Sequence, residues 1–173
     1  MQSYRALIDG PLQGLLSAGV LDIVVNTEWL SEQIEAHCLS WAQSHPEVHL
    51  RLSHEGRDFG YALETAGGIL RALPRLSPVF WVTAADVYMP DFVFDPTVVK
   101  RFIASDRLAH LWLVPNPEHN TKGDFAWQAL PDEPGFGRVL NDTDGPRYTF
   151  STVGLYRREL FEAPWIDTIA GNP

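Results

Sequence analysis

Four short apolar runs are spaced along this chain with a helix-periodic stretch between each and the next, and that alternation constrains the fold more than any other feature. The runs are Asp22-Ile23-Val24-Val25-Asn26, Val48-His49-Leu50-Arg51-Leu52, Val79-Phe80-Trp81-Val82-Thr83 and His110-Leu111-Trp112-Leu113-Val114. Each is strand length, and the last two are apolar apart from Thr83 and His110 at their ends, the pattern of strands covered on both faces. Parallel strands need a crossover connection, usually a helix, so strand–helix alternation predicts an α/β domain with a mostly parallel sheet between helical layers.

The intervening helices have readable ends. Pro11 suits a first helical position, Leu12, Leu15 and Leu16 form a stripe, and Gly19 can close a helix that ends near Ala18. Thr27 is placed to cap a helix striped by Leu30, Ile34, Cys38 and Trp41. A glycine-containing loop is expected from Ser53 to Tyr61, then a short helix through Ala66, Ile69, Leu70 and Leu73. Asp95 is expected to cap a helix opening at Pro96 and burying Val98, Val99, Phe102 and Ile103. Beyond Val114 the reading is β: Asp124 to Ala129, then Tyr148 to Tyr156, around a polar loop from Pro131 to Pro146. Trp29, Trp41, Trp81 and Trp112 fall on periodic or buried positions and read as core.

Composition bounds the functional class. The 173 residues suit one domain, and the net charge of −9 argues against a general nucleic-acid binder, which needs a basic footprint. It leaves a phosphate ligand open, since backbone amides, a few cations and a metal ion can hold one anion. Cys38 is the only cysteine. No intrachain disulfide is therefore expected, and a reducing, cytoplasmic setting is. No apolar run approaches the roughly 18 residues of a membrane span, and Met1-Gln2-Ser3-Tyr4-Arg5 lacks the layout of a signal peptide.

In open α/β sheets ligands bind beyond the carboxyl ends of the strands. That rule selects Asn26, Ser53 to Glu55, Asp86 and Asn116. Asp86 follows a buried strand, where a carboxylate can hold Mg²⁺ through one oxygen or, equally, cap a turn. Asp91 and Asp95 read as turn and cap residues. Glu64-Thr65-Ala66-Gly67-Gly68 sets two glycines at a helix start. They can admit a ligand to the backbone or allow close helix–sheet packing. The polar stretch from Asn116 to Asp124 can line a sugar site or simply connect two strands. Neither G-x-x-x-x-G-K-[ST] nor G-x-G-x-x-G occurs, and no G-x-S-x-G elbow is present.

The order of segments carries more. Ser17-Ala18-Gly19-Val20, Asp22 to Asn26, Leu63-Glu64-Thr65-Ala66-Gly67-Gly68, Ala85-Asp86-Val87, Asn116-Pro117 with Gly123-Asp124-Phe125, and Phe150-Ser151-Thr152-Val153-Gly154-Leu155-Tyr156 follow one another as in the nucleoside-diphosphate-sugar pyrophosphorylases. The chain resembles that nucleotidyltransferase family over nearly its whole length. The resemblance implies a Rossmann-like three-layer core that binds Mg²⁺, UTP or another nucleoside triphosphate, and a sugar 1-phosphate. The phosphate oxygen of the sugar attacks in line and pyrophosphate leaves. N-acetylmuramate 1-phosphate is the sugar implied, with peptidoglycan recycling as its setting. A guanylyl transfer to mannose 1-phosphate is the alternative. Carried over by position, Asp86 is the catalytic metal aspartate, Glu64, Thr65, Ala66, Gly67 and Gly68 lie beside the nucleotide, and Asn116 and Asp124 meet the sugar.

The pattern is also departed from. The family opens with a strand, a loop of the approximate form L-A-A-G-x-G-x-R-M-x-P-L-T and a Pro-Lys-Pro, and it carries a late second metal aspartate. None of these stands in the 173 residues, and Ala85 replaces the usual glycine before Asp86. The expectation is one domain over residues 1–173, incomplete at both ends and weak or inactive alone, with a non-catalytic fragment as the competing reading.

Overall fold

The computed structural model describes residues 6–27, 30–54, 64–141 and 145–162. In chain order the elements are α1 (Asp9–Ser17), β1 (Asp22–Thr27), α2 (Ser31–Gln43), β2 (His49–His54), α3 (Glu64–Ala72), β3 (Val79–Val82), α4 (Pro96–Ile103), β4 (Ala109–Val114), β5 (Phe125–Ala129), β6 (Gly137–Leu140) and β7 (Arg147–Arg157). Single 3₁₀ turns cover Leu73–Arg75, Glu118–Asn120 and Arg158–Phe161.

Two helix ends follow their local chemistry. Gly19 sits at φ +80°, its N–H donating to Leu16 O at 2.9 Å while Val20 N–H donates to Leu15 O at 3.0 Å. This is the left-handed closure for which glycine is suited. Asp95 caps α4 by accepting from Thr97 N–H at 2.7 Å, which holds its carboxyl below the usual carboxylate range. Thr27 behaves otherwise. It remains in β1, opposite His54, and its hydroxyl lies 3.4 Å from His54 Nδ1. α2 begins instead after Leu30, a non-glycine residue in the left-handed region at φ 54°. The ladder with β2 runs one residue further than the capping pattern suggests, and that ladder claims the threonine.

The fold is mixed α/β, but the sheet corrects the parallel expectation. Among the described strands only β1 and β2 pair in parallel. β3, β4 and β5 all pair antiparallel to β7, and β5 and β6 form an antiparallel hairpin. The reason is the long β7. Its residues Gly154 to Tyr156 lie between β3 and β4, so the two apolar runs that look like neighbours never touch each other's backbone. Hydropathy reports that a strand is covered on both faces and says nothing of its direction. β6 also falls inside the stretch read as a polar loop, and among the described strands Val79–Val82 borders its sheet.

The layering does hold at β3. Adjacent strand residues face opposite ways. Trp81 packs with Leu12 and Leu15 of α1, Ile23, Val48, Phe94 and Val153, whereas Phe80 packs with Ile69 of α3 and Leu73. Trp41 and Trp112 also pack against the first cluster, in keeping with a core reading; Trp29 lies outside the described residues. Cys38 is fully buried in α2, and burial, aided by the nearby Asp9 carboxylate, pushes its thiol pKa up. Among the described residues no helix is long and apolar enough to cross a membrane.

Candidate functional site

A cavity of about 800 Å³ opens between β1 and β3. At its rim stand Asn26, from the end of β1, Thr83 to Asp86, which follow β3, and Thr65, from the first turn of α3. Phe150, Thr152 and Tyr156 of β7 form part of its wall. Three segments far apart in sequence thus converge because two strand ends and one helix start point to the same place. Asp86 is exposed, and among the described residues its carboxylate has no hydrogen-bond or ion-pair partner. Among those residues, too, no three His, Cys, Asp or Glu side chains converge.

Within the glycine-bearing segment the structure divides the roles. Thr65 lines the cavity, Ala66 is exposed and Gly68 is buried. The Glu64 side chain lies outside the described part. Ser53, one of the expected rim positions, is buried with no partner for its hydroxyl, and His54 Nδ1 lies 2.5 Å from Glu35 Oε1 of α2. Neither lines the cavity, and Glu55 lies outside the described residues.

Asn116 and Asp124 do not line it either. Their side chains are engaged in the loop after β4. Asn116 Nδ2 donates to Thr121 O at 3.2 Å and to Arg147 O at 3.0 Å, and its Oδ1 accepts from the Thr149 hydroxyl at 3.0 Å. Asp124 accepts from Asn120 Nδ2 at 3.0 Å and from the backbone N–H of Phe150 at 2.8 Å. Asp124 therefore reaches the cavity only through Phe150, which lines it.

Thr152 escaped the sequence reading. β4 and β7 slip register, so that Leu111 faces Gly154 but Leu113 faces Phe150. Trp112 alone spans Ser151, Thr152 and Val153 of β7. Within this bulge Thr152 takes φ 69°, a conformation unfavourable for a β-branched residue. Its Oγ1 is buried without a partner, and the residue lines the cavity. Bulges re-aim side chains beside functional sites, but nothing in the alternation of Tyr148 to Tyr156 marks one.

A second cavity, of about 710 Å³, lies between α4, β4 and the β5–β6 hairpin. His110, Trp112, Trp127, Phe136 and Tyr148 line it. Burial, with Arg107 and Arg101 nearby, holds the His110 pKa down. Arg107, on its wall, is already paired with Glu133 at 3.1 Å. This space is aromatic, and its anion-binding capacity is partly spent.

No protein-family profile matches the chain. It is 39% identical over 160 residues to the N-acetylmuramate alpha-1-phosphate uridylyltransferase of Neisseria meningitidis serogroup B (strain ATCC BAA-335 / MC58), an alignment covering 91% of this chain and 64% of that protein. Among solved structures it resembles one described as a glucose-1-phosphate thymidylyltransferase from Bacillus anthracis in complex with sucrose. The TM-score is 0.63 at 13% identity, over 96% of this chain and 66% of the other. It also resembles the 4-diphosphocytidyl-2C-methyl-D-erythritol synthase of Anaerococcus prevotii, with TM-score 0.57 at 12% identity, again over 96% and 66%. These structural likenesses carry the fold alone, and the chain spans just under two thirds of each relative's own length.

Proposed function

We propose that the chain is the core of an enzyme making a nucleotide-sugar from a nucleoside triphosphate and a sugar 1-phosphate, with release of pyrophosphate. The observation that carries this is the 39% identity over 91% of the chain. The convergence of Asn26, Thr65 and Asp86 on one cavity gives that identity a place to act. UTP and N-acetylmuramate 1-phosphate are the substrates we assign, in line with the uridylyltransferase activity of the meningococcal relative. Peptidoglycan recycling in the cytoplasm is the setting they suggest.

The chemistry needs no covalent intermediate. A phosphate oxygen of the sugar 1-phosphate forms a bond to the α-phosphorus, the bond to the bridging oxygen breaks, and that oxygen leaves with pyrophosphate. Catalysis then rests on positioning and on neutralising charge. Asp86 is the residue suited to hold Mg²⁺, being an exposed carboxylate at the rim with no partner among the described residues. When bound, that ion supplies positive charge against the triphosphate. Asn26 offers a side-chain amide, and the Glu64–Gly68 segment offers the free amides of a helix start to the nucleotide. Asn116 and Asp124 act on the sugar side indirectly, by fixing Phe150 and the bulge around Thr152.

Pyrophosphate release from the protein in its full natural length tests the reading, with UTP, Mg²⁺ and N-acetylmuramate 1-phosphate as substrates. Turnover of about 1–10³ per second is expected. A clear preference for GTP with mannose 1-phosphate would replace the substrate assignment, and no turnover with any nucleotide and sugar phosphate pair would remove the catalytic one.

A further inference from the structure

The second cavity, beneath the β5–β6 hairpin, has no part in the transfer reaction. No residue that lines it also lines the cavity holding Asp86, and neither Asn116 nor Asp124 borders it. Its distinctive residue is Trp127. The indole belongs to β5 but lies across Gly137 of β6. A Cβ on Gly137 would stand 1.9 Å from Trp127 Nε1 and 2.5 Å from each of the two ring carbons bonded to that nitrogen. Such even spacing puts the face of the ring, not its edge, over the glycine. Only a residue without a side chain lets the indole lie this flat. Trp127 nevertheless remains 39% exposed, and it lines the cavity. With one face covered by β6, the opposite face is the one it presents. Tyr148 stands at a near right angle to it, with ring centroids 6.3 Å apart.

Polar groups surround this platform. The Trp127 indole N–H, the Arg138 guanidinium and the Asp106 carboxylate all border the cavity and have no hydrogen-bond or ion-pair partner among the described residues. The other charges nearby are engaged. Arg107 and Arg101 both pair with Glu133, and His110 is held toward its neutral form. Among the described lining residues one cation and one anion are thus left, Arg138 and Asp106. That balance does not suit a nucleotide, because Asp106 opposes any phosphate that Arg138 draws in.

We propose that this cavity binds an uncharged sugar ring, stacked on the open face of Trp127, at a site separate from the transfer chemistry. A pyranose has the matching division of surface. Its C–H bonds make an apolar face, and its hydroxyls lie around the edge as both donors and acceptors. Arg138 and the indole N–H only donate and an ionised Asp106 only accepts, so hydroxyls that do both satisfy all three. A plain aromatic ring would use the platform and leave those three groups unmet. The volume of about 710 Å³ falls in the range of small-molecule sites. The site needs only the hairpin and its cavity, whatever reaction the other cavity performs.

The test is a titration of the isotope-labelled, natural-length protein, followed by the NMR signals of its amide and indole N–H groups. Glucose, N-acetylglucosamine and cellobiose are the probes, and Trp127→Phe identifies the indole signal. At least one sugar is expected to shift the Trp127 indole and the Gly137 amide saturably, with a dissociation constant of about 1 mM, while Asn26 and Thr83 stay in place. Arg138→Gln and Asp106→Asn change exposed residues with no partner to lose. Each is expected to weaken the binding several-fold and to leave the melting temperature unchanged. Gly137→Ala drives a methyl group into the indole and is expected to abolish binding. Because it can also disturb the hairpin, the two polar variants decide. The proposal is overturned if no sugar moves the Trp127 indole at about 50 mM, or if both polar variants bind as the parent does. It is equally overturned if the sugars move Asn26 and Thr83 instead, which places them in the transfer cavity, or if p-cresol or UMP binds beneath the hairpin more tightly than any sugar. None of these results bears on pyrophosphate release, which keeps its own assay.

Discussion

The rim around Asp86 and the loop from Asn116 to Asp124 are both polar, and their polar atoms are in opposite states. At the rim, Asp86 has no partner among the described residues, and Thr152 holds a buried hydroxyl unpaired in a left-handed conformation. In the loop, Asn116 bonds three different residues, Asp124 two, and the Arg147 guanidinium donates to the carbonyls of Gly123, Asn141 and Asp124. A buried group without a partner costs stability, as at Thr152, whereas the exposed Asp86 carboxylate is met by water. Satisfied groups build shape. Two aspartates that look alike in the sequence are thus expected to fail in different ways.

The sharpest break of that contrast is Asp86→Ala. It should lower turnover of the natural-length protein by about 10² or more, the scale of losing one group aimed at developing charge. The melting temperature should stay within about a degree, because an exposed side chain without partners holds nothing together. A large drop in melting temperature would show that Asp86 is structural, as its alternative reading as a turn cap requires. Asp124→Ala should do the reverse. Losing the acceptor for Phe150 N–H and Asn120 should cost about 1 kcal/mol, reduced by exposure from the usual value for a charged acceptor, or about 2–4 °C in a chain of this size. Activity should fall several-fold through a displaced Phe150. Asp124→Asn, which keeps one acceptor oxygen, should recover part of both.

Thr152→Gly sharpens the comparison from the rim side. Glycine adopts φ 69° without the steric cost of about 1–2 kcal/mol, offset in part by its own chain entropy of about 0.5–1 kcal/mol. Stability should rise by up to about 1 kcal/mol in thermal denaturation while turnover falls. If stability falls instead, the bulge is held by contacts of the threonine itself, and the strain is not kept for a ligand.

These expectations rest unevenly on what the sequence discloses. Strands β1 to β4, the glycine closure at Gly19 and the Asp95 cap are legible because each depends on local pattern. The position of Asp86 beyond β3 follows from the same pattern plus one rule about strand ends. The direction of β7, the hairpin partner β6 and the bulge at Thr152 are not legible, since each is decided by pairing between residues distant in the chain. Leu113 meets Phe150, and Arg138 meets Gln128, only because the sheet closes that way. Asn116 and Asp124 show the limit from the other side. Their residue types fit a sugar site and a loop brace equally, and only their hydrogen bonds separate the two.

The smallest effect belongs to the second cavity, which extends the comparison to a half-buried group whose charged form is disfavoured. Burial, then Arg107 and Arg101, depress the pKa of His110 below its ordinary 6.5. The unfolded chain accordingly takes up a proton near pH 6.5 that the folded chain resists. The stability contributed by the neutral imidazole is therefore complete above that value, and it declines as the pH falls from 6.5 toward the lower folded value. His110→Phe removes the titration and keeps an aromatic ring against Trp112, whose centroid lies 4.4 Å away. Its thermal midpoint should lose less between pH 7 and pH 5 than that of the parent, while the two curves run parallel above pH 7. If both fall together through the acid range, the carboxylates dominate the acid loss and His110 is more open to water than its place beneath the hairpin indicates. Turnover at pH 7.5 should be unaffected in either case, because His110 lines the second cavity and not the one that holds Asp86.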